Sequence, residues 1–345
     1  MAPALRIGLP HPYVGGRPRG LGFTSRMVSR ERLRRRETMA LRVGGRLLAA
    51  GLVIGIGLRL WQLWRRQPVD LGKLDAGVFV VAVLASATAV AAYGLVWPYI
   101  LRTLGTDAPF SWVALFFKSQ LGKYLPGSVW QYAGRVALTR GRGVPTQRVL
   151  VSVIAEVTFS AIAAGLVGLL VLGSATGGIA CGGIVALGLV VLASRRRLSA
   201  VSGRLAAQLP SRTHLDRDSL VAAIRAAPQV AGLYVLVWVM YGLAFWLTGR
   251  ALFDVPASQL PRYVGVFALG WLVGLVAVFA PGGIGVREAV IVALLRSRLG
   301  EANAIVLAAA SRIVLTGVDL SAGAASLSVP AFLRRQGASP AQARR

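Results

Sequence analysis

Thiols and imidazoles are almost missing from this sequence. Cys181 is the only cysteine, and His11 and His214 are the only histidines in 345 residues. One thiol closes no internal disulfide and makes no metal site. Two histidines in separate polar regions argue against imidazole catalysis and against a transition-metal centre. Charge is scarce too: 15% of residues are Asp, Glu, Lys or Arg, whereas 55% are apolar and the mean hydropathy is +0.64. A soluble domain of this length carries more charge. The acidic residues number 12 against 39 basic ones, and only Lys73, Lys118 and Lys123 among the basic residues are lysines. The resulting net charge of +27 does not point to nucleic acid. The arginines lie between apolar runs and at both termini, where anionic headgroups and the cytoplasm meet them. No cofactor, metal or nucleic-acid partner is expected.

Long apolar runs are what the sequence has in abundance. Six, near 43–64, 76–101, 149–172, 177–194, 229–249 and 263–280, suit a hydrocarbon core of about 30 Å, which takes roughly 20 residues to cross. A seventh stretch, 302–333, has room for one tilted span or two short ones. The predicted fold is therefore all-α, a polytopic transmembrane helical bundle of seven or eight spans. Two shorter pieces, FSWVALFF (110–117) and REAVIVALLRSRLG (287–300), adjoin Pro and Gly. Such breaks are tolerated at membrane depth only inside a bundle or beside water, so both are read as re-entrant or interfacial helices.

Residues 1–42, with RERLRRRE at 30–37, read as a basic disordered cytoplasmic tail. Residues 43–333 form the membrane domain and 334–345 a basic C-terminal tail. MALRVGGRLLAAG from Met39 has the character of an ordinary start, so translation from Met39 is an alternative to Met1. Eleven arginines up to Arg46 place the N-terminus in the cytoplasm, with Arg-rich 102–148 and 195–228 on the same side. Arg334, Arg335, Arg344 and Arg345 favour the inside as well, which seven spans would not allow.

Two motifs and one set of charges carry candidate chemistry. In FFKSQLGKYLPGSVWQYAGRVALTRGRGVP (116–145), Pro126 and Gly127 break the helix, and Lys123 and Arg135 flank the break. The segment reads as a kinked entrance holding a lipid phosphate, or else as a cytoplasmic loop with ordinary interface aromatics. In APGGIGVREAVIVALL (280–295), Pro281 breaks the helix. There the N–H groups of Gly282, Gly283 and Gly285 make a candidate anion cradle beside Arg287 and Glu288. Within apolar runs lie Glu156, with Ser152 and Ser160 on its face, and Arg312, with Thr316 and Asp319 on its own. Charges at that depth face the bundle interior, and a Glu156–Arg312 pair would relieve both. These residues are read as a polar path or a structural ion pair.

The Pro-Gly break occurs twice, and a charged residue follows it at similar spacing: Glu156 after Pro126, Arg312 after Pro281. Paired breaks at matching places mark transporters built from repeats, and an inverted repeat is one arrangement that produces them.

GKYLPGSVWQYAGRVAL (122–138) and PGGIGVREAV (281–290) resemble two stretches of the transmembrane domain of lysylphosphatidylglycerol synthases and related flippase-like membrane proteins. The resemblance covers residues 43–333. It implies a bacterial cytoplasmic-membrane bundle with re-entrant segments that moves a lipid or lipid-linked headgroup between leaflets. The matching positions are Lys123, Pro126, Gly127, Trp130 and Arg135, then Pro281, Gly282, Gly283, Gly285, Arg287 and Glu288. The full synthases add a soluble acyltransferase-like domain that residues 334–345 do not provide, so lysyl transfer is not expected of this polypeptide.

The expectation is a non-enzymatic translocator of a lipid, or an assistant to one. Its partners would be anionic phospholipid or another lipid-linked headgroup. The headgroup would rest on Arg287, Glu288 and the glycine N–H groups, with Lys123 and Arg135 at the cytoplasmic mouth and Glu156, Arg312 and Asp319 lining the path. No G-x-x-x-x-G-K-[ST] is present, so uphill movement would draw on the membrane potential or protons. The alternative is an accessory membrane subunit of a lipid or glycolipid enzyme. A partner enzyme and a second copy of the chain are the protein partners left open.

Overall fold

A computed structural model describes residues 74–124, 129–173, 217–277 and 280–328. The expected spans 43–64 and 177–194, the two tails, Met39, Pro126 and Gly127 lie outside the described residues. Among these residues every regular element is helical: α1 (Ala76–Thr103), α2 (Val113–Gln120), α3 (Trp130–Thr139), α4 (Thr146–Gly173), α5 (Arg217–Phe253), α6 (Leu260–Val276), α7 (Val286–Leu299) and α8 (Glu301–Ser328). Among the described residues five segments are long and apolar enough to cross a membrane: Ala76–Thr103, Thr146–Leu172, Val221–Phe253, Ala257–Val276 and Glu301–Leu327. The 302–333 stretch thus forms a single long helix as far as it is described. The mapped bundle fits the polytopic class that the apolar runs predict.

Local sequence explains the starts and stops. Asp75 caps α1 by accepting from the Val78 N–H at 2.9 Å. Extended prolines precede α2 and α6, Pro109 at φ −68° and ψ 152° and Pro256 at φ −68° and ψ 153°. Each opens a single 3₁₀ turn that leads into its helix.

Helix directions follow from a few contacts. The Asp75 N–H donates to the Ala251 carbonyl at 3.0 Å. The start of α1 therefore sits at the end of α5, and Tyr93 packs edge-on to Tyr234 with centroids 5.4 Å apart. The two helices run antiparallel. Arg148 donates to the Gly105 carbonyl at 2.7 Å, so α4 starts where α1 ends. A side chain at Gly249 would meet Leu307, so α8 starts where α5 ends. Helices α4 and α8 consequently start at opposite ends of the bundle.

Between these long helices the chain makes two hairpins. Arg135 on α3 donates to Ser119 on α2 at 3.3 Å, and Arg142 past α3 lies over the Trp112 ring before α2. The two legs are antiparallel, and the segment returns to the end it entered from. In the second half, a Cβ at Gly274 would lie 3.3 Å from Arg287 Cβ and one at Gly270 3.2 Å from Ile291. Helix α7 therefore runs back along α6. In both hairpins the return leg doubles back along the inbound leg, which fits the re-entrant reading of 110–117 and 287–300.

The packing repeats under exchange of the halves. Helix α2 packs on α8 as α6 packs on α4, α1 on α8 as α5 on α4, and α1 on α4 as α5 on α8. With α1 and α5 antiparallel, the order α1–α4 and α5–α8 is an inverted repeat. Small residues permit the close crossings. Gly168 of α4 and Gly265 of α6 face each other, each near the other's carbonyl, and Gly242 of α5 lies against Val264.

Candidate functional site

The hairpin tips meet in the bundle. The Lys123 carbonyl of the first tip lies 3.7 Å from where a Cβ on Gly282 of the second would stand. Around them opens a cavity of about 490 Å³, walled by Tyr93, Trp238, Tyr241, Phe267 and Trp271 and bearing Lys123, Glu156, Arg287, Arg312 and Asp319. A largely aromatic wall with a few convergent charges is the usual character of a binding cavity.

The second tip is shaped by glycines in left-handed backbone, Gly282 at φ 58°, Gly283 at φ 68° and Gly285 at φ 88°. Gly283 must be glycine for a second reason: a Cβ there would lie 3.0 Å from Gly274 Cα. The GWLVG run of α6, with Gly270 and Gly274 one turn apart, forms the bare groove in which α7 lies. That groove lets Arg287 sit against α6, 8% exposed, with its guanidinium 4.2 Å over the Phe267 ring. Its Nη2 is buried and has no hydrogen-bond partner.

The expected glycine cradle is corrected at two of its three donors, Gly283 and Gly285. The Gly283 N–H donates to the Ala280 carbonyl at 2.9 Å, and the Gly285 N–H to Glu288 Oε2 at 2.6 Å. Both donors are therefore taken. A carboxylate tethered three residues downstream reaches the start of α7 before any free anion can. Glu288 thus caps α7.

The expected Glu156–Arg312 pair is also corrected. Glu156, 2% exposed, is bonded by both terminal nitrogens of Arg135, which is 0% exposed and lies over Phe116 and Trp97. Arg135 is not at a cytoplasmic mouth. Its return leg packs on the following helix, and this carries the guanidinium inward to the nearest carboxylate. Burial of either charge alone would cost several kcal/mol, so each needs the other.

Arg312 instead donates both terminal nitrogens to the Gly282 carbonyl at 3.1 Å and lies 3.6 Å from Glu288. Asp319, two turns further on, accepts from Lys123 at 2.5 Å and from the Tyr124 hydroxyl at 3.3 Å. One face of α8 thereby grips both tips. The structure gathers Lys123, Glu156, Gly282, Gly283, Arg287, Arg312 and Asp319 on one cavity and keeps Arg135 behind Glu156. The aromatic wall and the Gly270–Gly274 groove were not singled out in the sequence. GWLVG is a small-residue spacing that could have marked the groove.

Summed over these seven charged groups, Arg287, Arg312, Lys123 and Arg135 face Glu288, Asp319 and Glu156. The carboxylates pair with or lie beside the last three cations, and Arg287 keeps the surplus charge. A family model described as "Lysylphosphatidylglycerol synthase TM region" matches residues 48–323. No curated protein and no solved structure matches the chain.

Proposed function

We propose, for a chain that belongs to the lysylphosphatidylglycerol synthase TM-region family, that it moves a lipid or lipid-linked headgroup between the leaflets of the bacterial cytoplasmic membrane. The observation that carries this reading is Arg287: a buried guanidinium with an unpaired Nη2 on a charge-bearing cavity. A phosphate oxygen would supply the acceptor and the countercharge that the protein withholds there. Leaving such a charged donor unmet costs about 1–3 kcal/mol or more, so an anionic group gains at least part of that on entering.

In this reading Arg287 binds the phosphate, Phe267 fixes the plane of the guanidinium, and Trp238, Tyr241 and Trp271 receive the uncharged part of the headgroup. The acyl chains stay in lipid throughout. The inverted hairpins bring each half's tip to the same cavity from opposite ends, the arrangement on which alternating access is built. The chain makes and breaks no covalent bond, and its N-terminus lies in the cytoplasm.

The test is leaflet exchange of headgroup-labelled anionic phospholipid in proteoliposomes. Wild type is expected to accelerate exchange, and Arg287→Ala, folded by size exclusion and melting, to return it to the protein-free rate. Exchange that is equally fast in Arg287→Ala, or absent from wild type with every anionic lipid tried, would overturn this function and favour an accessory role.

A further inference from the structure

One aromatic module occurs in both halves. In the first hairpin, Arg135 lies 4.3 Å over Phe116 of the inbound leg. Phe116 in turn packs on Tyr93 of α1 at 5.9 Å and on Trp97, one turn further, at 6.4 Å. In the second, Arg287 lies 4.2 Å over Phe267 of the inbound leg. Phe267 packs on Tyr241 of α5 at 5.7 Å and on Phe245, one turn further, at 5.3 Å. Tyr93 and Tyr241 touch across the pseudo-two-fold, centroids 6.3 Å apart. Each half thus buries one return-leg arginine on one inbound-leg phenylalanine, backed by the same two positions of the leading long helix.

The halves differ in what the last helix offers that arginine. Helix α4 supplies Glu156, whose two oxygens take both terminal nitrogens of Arg135. At a similar distance along α8 stands Arg312, which turns to the Gly282 carbonyl, so Arg287 keeps an unpaired Nη2. The two modules share the arginine, the phenylalanine under it and two aromatic backing positions, and they differ in the anion.

We infer that Arg135 is a second anion station of this bundle, for which Glu156 stands in as a tethered substitute for a phosphate. A carboxylate and a phosphate present the same pair of acceptor oxygens to a guanidinium fork, so the geometry that holds one holds the other. Glu156 lines the same cavity as Arg287, so an anion can pass between the stations without leaving it. Because the repeat is inverted, the two stations belong to hairpins that enter from opposite ends. Each therefore serves one side of the membrane, and displacement of Glu156 is the event that opens the first. This rests on the reading that Arg287 holds an anionic headgroup.

The experiment measures binding stoichiometry on the full chain in detergent, with short-chain phosphatidylglycerol and, separately, inorganic phosphate as probes. Wild type is expected to bind one equivalent, Glu156→Gln two, and Glu156→Gln with Arg287→Ala one. Saturation by the lipid but not by phosphate assigns the stations to headgroups that enter from the bilayer, and saturation by both assigns them to the anion alone. A single equivalent in a folded Glu156→Gln overturns the second station.

Glu156→Gln strands a buried guanidinium and is at risk of misfolding, so a second variant decides independently. Arg135→Met with Glu156→Leu removes both charges and keeps the volume. A merely structural ion pair would leave leaflet exchange at the wild-type rate in that variant, which also overturns the proposal. Exchange at the protein-free rate, with one equivalent still bound at Arg287, supports it. Failure of the Arg287 reading looks different: wild type then binds no anion, and Arg287→Ala changes nothing.

Discussion

Asp319 of α8 holds Lys123 of the first hairpin tip at 2.5 Å, and two turns back on the same helix Arg312 holds the second tip through the Gly282 carbonyl. The pair is only partly buried, with side chains 25% and 15% exposed, so its attraction is screened but not cancelled. Helix α8 is therefore the common tether of two hairpins that belong to different halves.

Lys123→Ala should loosen the first tip without unfolding the bundle. Hydrogen exchange is expected to speed up across 117–124 and remain slow in α1 and α5. Exchanging the two residues, Lys123→Asp with Asp319→Lys, should restore protection. Slow exchange at the tip in Lys123→Ala would mean that the pair tethers nothing.

Arg135→Ala should be among the most damaging single substitutions, because it leaves Glu156 charged and unpaired in the interior. The expected loss is about 3–5 kcal/mol. Replacing both residues by apolar side chains of like volume should recover most of it. Thermal and denaturant unfolding in detergent measures both, and additive losses in the double variant would contradict the pairing.

Gly283→Ala combines a left-handed φ with a Cβ pressed on Gly274 Cα, so it should cost more than the ~1–2 kcal/mol of the backbone strain alone. Gly141→Ala is the comparison. Its φ is 74°, but nothing lies within 4 Å of the added carbon, so only the backbone term applies. Equal losses for the two would show that α6 and α7 do not depend on their close approach.

Arg287→Lys keeps the charge but gives up the planar fork that stacks on Phe267 and presents two parallel donors. One charge-assisted hydrogen bond is worth about 1.5–3 kcal/mol, which corresponds to roughly a tenfold to hundredfold weaker hold on a phosphate. Lipid titration should show that drop, with melting temperature little changed. Undiminished affinity would assign the anion to another group.

The helical class, the positions of the described spans, and the helix break at Pro281 were legible in the linear order of residues. Apolar run length decides what enters a bilayer, and Pro and Gly interrupt a helix for reasons local to the backbone. The repeat left a trace too, as two Pro-Gly pairs each followed at similar spacing by a charge, Glu156 and Arg312. The partners of those charges were not. Glu156 and Arg312 are an obvious opposite pair on paper, yet Glu156 takes Arg135 and Arg312 takes a carbonyl. Which side chains meet depends on where the return legs of the hairpins come to lie, and this is set by glycine grooves and aromatic packing between segments far apart in the chain. The availability of Arg287 was likewise decided only in three dimensions. The N–H groups of Gly283 and Gly285 beside it are used up by neighbours, and its own unpaired nitrogen exists because the inverted second half has an arginine near the place where the first has Glu156.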